Sequence, residues 1–319
     1  MFSKKQSSTE ESNNKYLQMK TKFTLLTVLL SFTFGFSQSE DVEVKKLKIN
    51  TELDHFAARV VGDKVFFSHN LTTKRGRPIK DKYDGFIYIM YEAPLSDDGE
   101  IKDEQPIVKT ELGRFNMSSA TFSKDGKYMY FTTNQIDKGT NKLKGVETYN
   151  LQIQRAEYEE GKGWTNFETL SFCEPDHNYA HPALSPDGNT LYFIADIKGT
   201  KGKSDLYKVS VSNHKTYGEV TSLGETINSS RTEIFPFVSA DNKLYFTSDR
   251  RGGKGGLDIY VYDLDSDDAE QEPKSLEEPI NSRGDDFSFF LNEDLTTGYI
   301  SSRRYKGEGG DDLYYFEKF

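Results

Sequence analysis

Short runs of alternating hydrophobic and polar residues recur along the chain in groups of three. In one group the runs are Phe235–Ser239, Leu244–Ser248 and Leu257–Leu264. A short polar turn separates the first two runs, and a longer segment rich in Arg and Gly precedes the third. Such runs, bounded by turn residues, predict β-strands. The same group recurs at His181–Val211 and at Phe287–Phe316.

Two earlier segments carry more divergent copies of the group. In the first, Ala57–Val61 and Val65–Ser68 flank a Gly-Asp-Lys turn, and the second, SSATFSKDGKYMYFTTN, begins at Ser118. The second run of each copy contains an aromatic residue, which we use as an anchor: Phe66, Tyr130, Tyr192, Tyr245 and Tyr299. The anchors are somewhat further apart than the about 40–45 residues of a four-stranded propeller blade. Five such repeats predict an all-β fold, a β-propeller of five blades.

The outer strands and the two chain ends predict how the propeller closes. The fifth repeat stops at Phe319 after its third strand, whereas Val42–Ile49 is a spare strand ahead of the first repeat. We expect this strand to pair with Leu313–Phe316 and to complete the last blade, because closure removes exposed strand edges. An open solenoid is the alternative, and it would need capping segments. Further outer strands are predicted at Phe86–Tyr91, Ile107–Leu112, Val146–Ala156 and Phe167–Phe172.

Three similar segments support this closure. Each leads from the end of an outer strand into the next inner strand: LKINTELDH (47–55), LGETINSSRTE (223–233) and LEEPINSRGDD (276–286). Because the first of them follows the amino-terminal strand, that strand occupies the outer position of a blade. The blade that lacks an outer strand is the last one.

The amino terminus predicts secretion. Lys20 and Lys22 precede an apolar run, Phe23–Phe34, and small residues follow it at Gly35 and Ser37. This order of charge, apolar run and small residues is that of a secretory signal peptide. A membrane anchor is the alternative, but the run is shorter than a membrane-spanning helix requires.

The domain boundaries follow from this prediction. We assign a signal peptide to residues 19–37 and a single propeller domain to residues 38–319. Residues 1–18 are polar and without pattern, so we expect them to be disordered or to precede a true start at Met19. The mature chain is predicted to have no transmembrane segment.

The composition argues against several classes of function. The chain has 319 residues, of which 35% are hydrophobic and 13% aromatic, so it can build a large β-sheet core. Its net charge of −10 argues against a nucleic-acid partner, which would favour a basic face. A single cysteine, Cys173, excludes an internal disulfide and a cysteine-rich metal site. We predict no cofactor and no metal.

The turn motifs resemble those of a known repeat family. Ser-Pro-Asp-Gly-Asn-Thr-Leu-Tyr-Phe at 185–193 resembles the PD40 (WD40-like) repeat of the TolB propeller, and 124–128 and 240–246 are weaker copies. The segments 248–260 and 301–316 are similar to the version in envelope proteins of Bacteroidetes. The resemblance covers residues 42–319 and implies a propeller that acts in the periplasm, at the outer membrane or outside the cell. Propellers host both binding scaffolds and enzymes, so the fold does not determine the function.

One face of such a propeller collects charged and aromatic side chains. Loops that enter inner strands share this face with loops that join second to third strands. The predicted ligand-binding face comprises Asp54, His55, Asn116, His181, Glu233, Asp285, Arg250, Arg251, Arg303 and Arg304. Arginine forks there suit a carboxylate or sulfate. The alternative is pairing within a repeat, Arg250 with Asp258 or Arg303 with Asp312, which would only brace the loops.

Two functions remain open on the sequence. The first is a non-catalytic scaffold that binds an envelope protein or a glycan, as a monomer or within a larger envelope complex. The second is a carbohydrate-active enzyme, such as a lyase on acidic polysaccharide, with His55, Tyr179, His181 and Glu233 as acid and base residues. His181 occupies the slot that Phe235 and Phe287 are expected to hold in other repeats, which favours packing. The two functions differ in whether these four side chains converge on one point.

Overall fold

The computed structural model describes residues 41–80, 85–108, 116–134 and 150–319. Within these residues, 21 strands form five antiparallel sheets, which are the five blades of a β-propeller. The predicted fold class is therefore confirmed. The predicted signal peptide and residues 1–18 lie outside the described residues. No helix in the described part of the chain has the length and apolar character to cross a membrane.

Strands are numbered along the chain, and β1 (Val42–Lys46) belongs to the last blade. Blade 1 comprises β2 (His55–Val61), β3 (Lys64–Asn70), β4 (Tyr88–Pro94) and β5 (Gln105–Pro106). Blade 2 comprises β6 (Met117–Phe122), β7 (Tyr128–Thr133), β8 (Gln152–Glu159) and β9 (Gly163–Thr169). Blade 3 comprises β10 (Tyr179–Leu184), β11 (Thr190–Ala195), β12 (Asp205–Ser212), β13 (Thr216–Tyr217) and β14 (Thr221–Ser222).

The last two blades follow a short helix, α1 (Gly224–Ile227). Blade 4 comprises β15 (Glu233–Val238), β16 (Lys243–Ser248), β17 (Asp258–Asp263) and β18 (Lys274–Ser275). Blade 5 comprises β19 (Asp286–Leu291), β20 (Thr297–Ser302), β21 (Asp312–Lys318) and β1.

The amino-terminal strand completes the last blade. β1 pairs with β21 in antiparallel register, with Val44 opposite Phe316 and Lys46 opposite Tyr314. The N–H of Leu47 continues the ladder and donates to the carbonyl oxygen of Leu313 at 3.2 Å. The predicted closure is therefore confirmed, and it covers the edge that β21 would otherwise expose.

The core lies between neighbouring blades. Tyr130 and Ile153 of blade 2 pack in one cluster with Leu191, Phe193 and Tyr207 of blade 3. Burial of such large apolar side chains contributes about 1.5–3 kcal/mol each. The aromatic anchors found in the sequence therefore belong to the contacts that hold one blade against the next.

A buried asparagine explains the three similar segments of the sequence. The side-chain amide of Asn281 accepts from the N–H of Ile259 and donates to its carbonyl oxygen, at 2.8 and 2.9 Å. Asn228 and Asn50 make the same pair of bonds to Leu206 and Leu313. Each asparagine thus takes the place of a backbone partner beside a third strand, where an unpaired peptide group would be costly.

A bulge at equivalent positions bends every first strand. The register with the second strand shifts there in all five blades. The residues at the bulge have positive φ, between 46° and 59°: Ala57, Ser119, His181, Phe235 and Ser288. A bulge of this kind changes the direction of a side chain, and residues other than Gly rarely adopt this φ.

The outer strands differ most from the sequence prediction. β9 begins and ends earlier than the predicted Phe167–Phe172. β5 is a two-residue strand that ends just before the predicted Ile107–Leu112, of which 109–112 lie outside the described residues. β8 starts later than the predicted Val146–Ala156, of which 146–149 lie outside the described residues. Outer strands are partly exposed, so their hydrophobic pattern is weaker than that of inner strands.

Candidate functional site

The two ends of the propeller carry different connections. The loop face is formed by the segments that enter first strands and by those that join second to third strands. The turn face is formed by the turns between first and second strands and by those that follow third strands. Because successive strands are antiparallel, these two sets lie at opposite ends of the axis.

Three of the four residues of the predicted acid–base set occupy one repeated position. His55, Tyr179 and Glu233 are the first residues of the first strands of blades 1, 3 and 4. Asp286 holds the same position in blade 5. Equivalent positions in different blades are related by the rotation of the propeller, so each side chain has its own surroundings in its own blade.

Glu233 is bonded within its own blade. Its side chain has no exposed surface, and it lies 3.0 Å from the guanidinium of Arg250. The hydroxyls of Ser229 and Ser248 donate to the same carboxylate, at 2.6 and 3.0 Å. Arg250 also donates to the carbonyl oxygen of Ile227. The carboxylate therefore has its hydrogen-bonding capacity filled by structural partners.

Asp286 and Arg304 repeat this arrangement in blade 5. The guanidinium of Arg304 lies 2.6 Å from the carboxylate of Asp286 and donates to the carbonyl oxygens of Pro279 and Ile280. It also lies over the ring of Tyr314, at 4.7 Å from the ring centre. The bracing suggested by the sequence is present, but with other partners than Asp258 and Asp312. Those two carboxylates accept from backbone N–H groups of their own loops.

His55 packs against aromatic rings of blade 1. Its ring stacks on that of His69 with 4.2 Å between the centres, and its Nδ1 lies 3.1 Å from the carbonyl oxygen of Leu53. Burial lowers the pKa of His55 to about 4, and the nearby His69 adds to the effect. The imidazole is therefore neutral at neutral pH, and it is a weak base.

His181 is part of the packing around the axis. Its ring stacks on Phe235 of blade 4 with 3.8 Å between the centres, and the N–H of Phe235 donates to its Nδ1 at 3.2 Å. Burial lowers its pKa to about 3, and the charge of Arg59 adds to this. His181 is equivalent to Phe235, as expected, but in blade 5 the equivalent residue is Ser288, because Phe287 precedes the bulge.

Tyr179 lies in a third environment. Its ring is buried with those of Phe172 and Phe193 between blades 2 and 3. Burial raises the pKa of its hydroxyl. The four side chains of the predicted acid–base set thus have separate partners, which favours packing roles over a shared catalytic centre. Whether they take part in catalysis stays a prediction.

The rest of the predicted binding face is mostly engaged in loop structure. The carboxylate of Asp54 accepts from the hydroxyl of Tyr88 at 2.8 Å, and Asn116 accepts from the N–H of Tyr88. Asp285 accepts from the N–H of Leu257. Two members of the set remain at the surface. Arg251 is exposed, and the side chain of Arg303 is 56% exposed although it pairs with Asp311 at 2.5 Å.

A cavity opens on the axis at the turn face, which the sequence did not predict as a site. It has a volume of about 740 Å³, and every blade contributes to its wall. Each first strand contributes at least one residue to the lining: Arg59, Phe122, Leu184, Phe237 and Phe290. A volume of this size is typical of small-molecule sites.

Arg59 is the buried cation of this cavity. It is 7% exposed, and one guanidinium nitrogen donates to the carbonyl oxygen of Ala58 at 2.7 Å. The guanidinium lies 5.6 Å from the ring centres of both Phe237 and Phe290. No carboxylate of the described residues forms an ion pair with it. Burial lowers its pKa to about 10, so it still carries its charge at neutral pH.

The sequence contains a pattern that could have identified Arg59 as a candidate site residue. Arg59 is the charged residue of an otherwise apolar run, His55–Val61, and it pairs with the aromatic anchor Phe66. The equivalent positions in the other blades hold uncharged residues: Thr121, Ala183, Phe237 and Phe290. A charge at a buried strand position indicates either a partner or a ligand.

No protein-family model matches the chain, and a search of curated proteins gave no significant match. Among solved structures it is similar to a TolB-like protein from Agrobacterium tumefaciens, with 12% identity and a TM-score of 0.50, over 87% of this chain and 97% of that one. A protein of unknown function from Dyadobacter fermentans gives 10% identity and a TM-score of 0.46, over 87% and 99%. A β-xylosidase gives 14% and 0.48, over 86% and 94%.

Similarity at these identities concerns the fold alone. The match with the TolB-like protein extends over nearly all of that protein, so it concerns the whole propeller. Together with the five sheets and their closure, it identifies the chain as a five-bladed β-propeller with the TolB-type fold.

Proposed function

We propose that the protein is a non-catalytic binding protein of the cell envelope, located in the periplasm, at the outer membrane or outside the cell. This proposal is based on the surroundings of the predicted acid–base residues. Glu233 is saturated by structural partners, and the two histidines are stacked and have lowered pKa values. A general base works best with a pKa near the operating pH.

The exposed arginines of the loop face are the proposed contacts with a protein or glycan partner. Arg251 is exposed, and Arg303 keeps more than half of its side chain in solvent. A guanidinium suits carboxylates and sulfates because its N–H groups form a planar fork. The location rests on the predicted signal peptide at 19–37 and on the similarity to a TolB-like protein.

The proposal is tested by running a binding assay and an activity assay on the same protein preparation. In the activity assay, acidic polysaccharides are incubated with the protein, and unsaturated products are followed by their ultraviolet absorbance. In the binding assay, an envelope extract is passed over immobilised protein and washed at high salt. We expect no product and a retained partner, and we expect the double variant Arg251→Met/Arg303→Met to retain less of it.

The opposite result would favour the lyase. Sugar release by the wild type that is lost in Tyr179→Phe and in His181→Asn would overturn the non-catalytic proposal. Equal retention by the wild type and the double arginine variant would remove the loop face as the binding surface.

A further inference from the structure

The axial cavity at the turn face combines apolar walls with a single buried cation. Val60, Phe122, Leu184 and Leu291 contribute apolar surface to its lining. Arg59 is the buried charged residue among the lining residues that the structure describes. A ligand that suits this cavity has an apolar body and one negative group.

Several other polar groups of the lining form hydrogen bonds within their own turns. The hydroxyls of Ser123 and Ser185 donate to Asp125 and Asp187, at 2.6 and 2.5 Å. The side chain of Asn292 donates to Thr297. These bonds close the turns, so the groups are committed within the protein before any ligand arrives.

Arg59, in contrast, is only partly satisfied. A guanidinium has five N–H donors, and the structure gives it one hydrogen bond, to Ala58. A buried charge without a counter-ion is costly, and a protein retains one only with compensation. The rings of Phe237 and Phe290 give part of this through cation–π contacts. A carboxylate would give the rest, because it accepts two parallel hydrogen bonds from the guanidinium fork.

We propose that this cavity binds the carboxyl terminus of a peptide, with the terminal carboxylate on Arg59 and apolar side chains against the walls. This inference does not depend on the proposed role of the loop face. The apolar walls do not offer partners for the hydroxyls of an acidic sugar. Asp97 and Asp294 at the mouth would also repel a polysaccharide that carries a charge on each unit. A peptide brings one carboxylate and can have neutral or basic residues before it.

The alternative role of Arg59 is to brace the axis, since it reaches from blade 1 to rings of blades 4 and 5. The two roles predict different effects of removing the charge of Arg59. If Arg59 is a brace, its loss makes the protein less stable. A ligand-binding cation can be replaced by an apolar side chain of similar length without loss of stability, while binding is lost.

The test uses isothermal titration calorimetry with the full-length protein. The probe is acetyl-Lys-Gly-Leu-Leu with a free carboxylate, and its partner probe is the same peptide with a terminal carboxamide. We expect the free acid to bind at least about tenfold more tightly, because hydrogen bonds to a charged group are stronger than neutral ones. An oligomer of glucuronate serves as the competitor.

Two substitutions at Arg59 are compared with a matched control. Arg59→Met should weaken binding of the free acid at least about tenfold with no decrease in the thermal midpoint, and Arg59→Lys should fall in between because it keeps the charge without the fork. The control, Arg283→Met, makes the same charge change at an exposed site outside the proposed binding residues and should bind like the wild type.

Several outcomes would overturn the proposal. They are equal affinity for the acid and the carboxamide, equal affinity of Arg59→Met and the wild type, displacement of the peptide by glucuronate, and no binding of either peptide. A lower thermal midpoint of Arg59→Met without a change in binding would assign the brace to this residue. None of these results concerns partner retention through Arg251 and Arg303, so failure here and failure of the proposed function are distinguishable.

Discussion

Two arginines, one on the loop face and one on the turn face, differ in what surrounds their charge. On the loop face, Arg304 has the carboxylate of Asp286 at 2.6 Å and two carbonyl oxygens as further acceptors. On the turn face, Arg59 has one carbonyl oxygen and two aromatic rings. The first charge is neutralised within the fold, whereas the second is open to a ligand. Recurrent charges at loop positions thus indicate bracing here, and an isolated charge in an inner strand indicates a site.

The largest expected effect comes from the paired arginine. Arg304→Met leaves the fully buried carboxylate of Asp286 without its cation, and breaking a buried pair in this way costs about 3–5 kcal/mol. Urea unfolding followed by circular dichroism should show this as a lower midpoint. Arg251→Met is the control and should change stability by no more than about 0.5 kcal/mol. A similar small effect of both variants would contradict the assignment of Arg304 as a brace.

The histidine at the axis gives the next largest effect, through pH. The pKa of His181 is lowered to about 3, so between pH 6.5 and that value the unfolded chain binds a proton that the native chain does not. Stability is therefore complete above pH 6.5 and falls as the pH is lowered, with a slope of up to about 1.4 kcal/mol per pH unit. His55 adds a similar term down to about pH 4.

The variant His181→Asn separates the two histidines. Asn tolerates the φ of 50° at this position, and its Oδ1 replaces Nδ1 as the acceptor for Phe235. Between pH 7 and pH 5 the wild type should lose more stability than the variant, by at most about 2 kcal/mol in urea unfolding. The same decrease in both proteins would show that His181 does not titrate in this window.

The architecture could be predicted from the sequence because its signals are repeated. Aromatic anchors, polar turns and the Ile-Asn-Ser or Ile-Asn-Thr segments recur in several blades, and each repetition strengthens the same interpretation. Even so, the function of Asn281 as a substitute backbone partner was visible only in the structure. In the sequence, Asn281 was recognisable only as part of a repeated segment. The repetition did not indicate its hydrogen-bonding role.

The site could be predicted only in part, because its position depends on which end of the propeller axis is filled by side chains. At the loop face the axis is packed by Phe56, Phe287 and Phe235, and the turn face keeps the cavity. The bulges decide where these side chains lie, and no residue type marks them: Ala57 and Phe235 both occupy the bulge position. A one-residue error in the register therefore assigned Phe287, instead of Ser288, to the position that His181 and Phe235 hold in their blades.

Removal of the unpaired arginine should change stability less than removal of the paired one, and without a loss of stability. Arg59→Met removes an uncompensated buried charge but also two cation–π contacts, which are worth about 0.5–2 kcal/mol each when they are desolvated. We expect the free energy of unfolding to be unchanged or to rise by about 1 kcal/mol. The urea midpoint of the two methionine variants, Arg304→Met and Arg59→Met, is the direct comparison. A loss of several kcal/mol in both would mean that both arginines are braces.

The smallest effect concerns the layer between the two faces, where the junction of blades 3 and 4 differs from three others. At three junctions the N–H of the bulge residue donates to a hydroxyl of the preceding blade: Ser119 to Ser68, His181 to Thr132, and Ala57 to Ser301. At the junction of blades 3 and 4 that slot holds Ile194, which has no acceptor. His181 accepts from Phe235 there instead.

A double-mutant cycle tests whether His181 replaces the missing hydroxyl. His181→Phe keeps a ring for stacking on Phe235 but removes the acceptor, and Ile194→Thr restores an oxygen at the slot. If the replacement is real, Ile194→Thr should cost less in the His181→Phe background than in the wild type, with a coupling of about 1 kcal/mol, the value of one hydrogen bond. Measurement at pH 8 keeps His181 neutral, so titration does not enter. Additive effects would mean that the N–H of Phe235 gains nothing from the threonine, and that this junction is held by ring stacking rather than by the hydrogen bond.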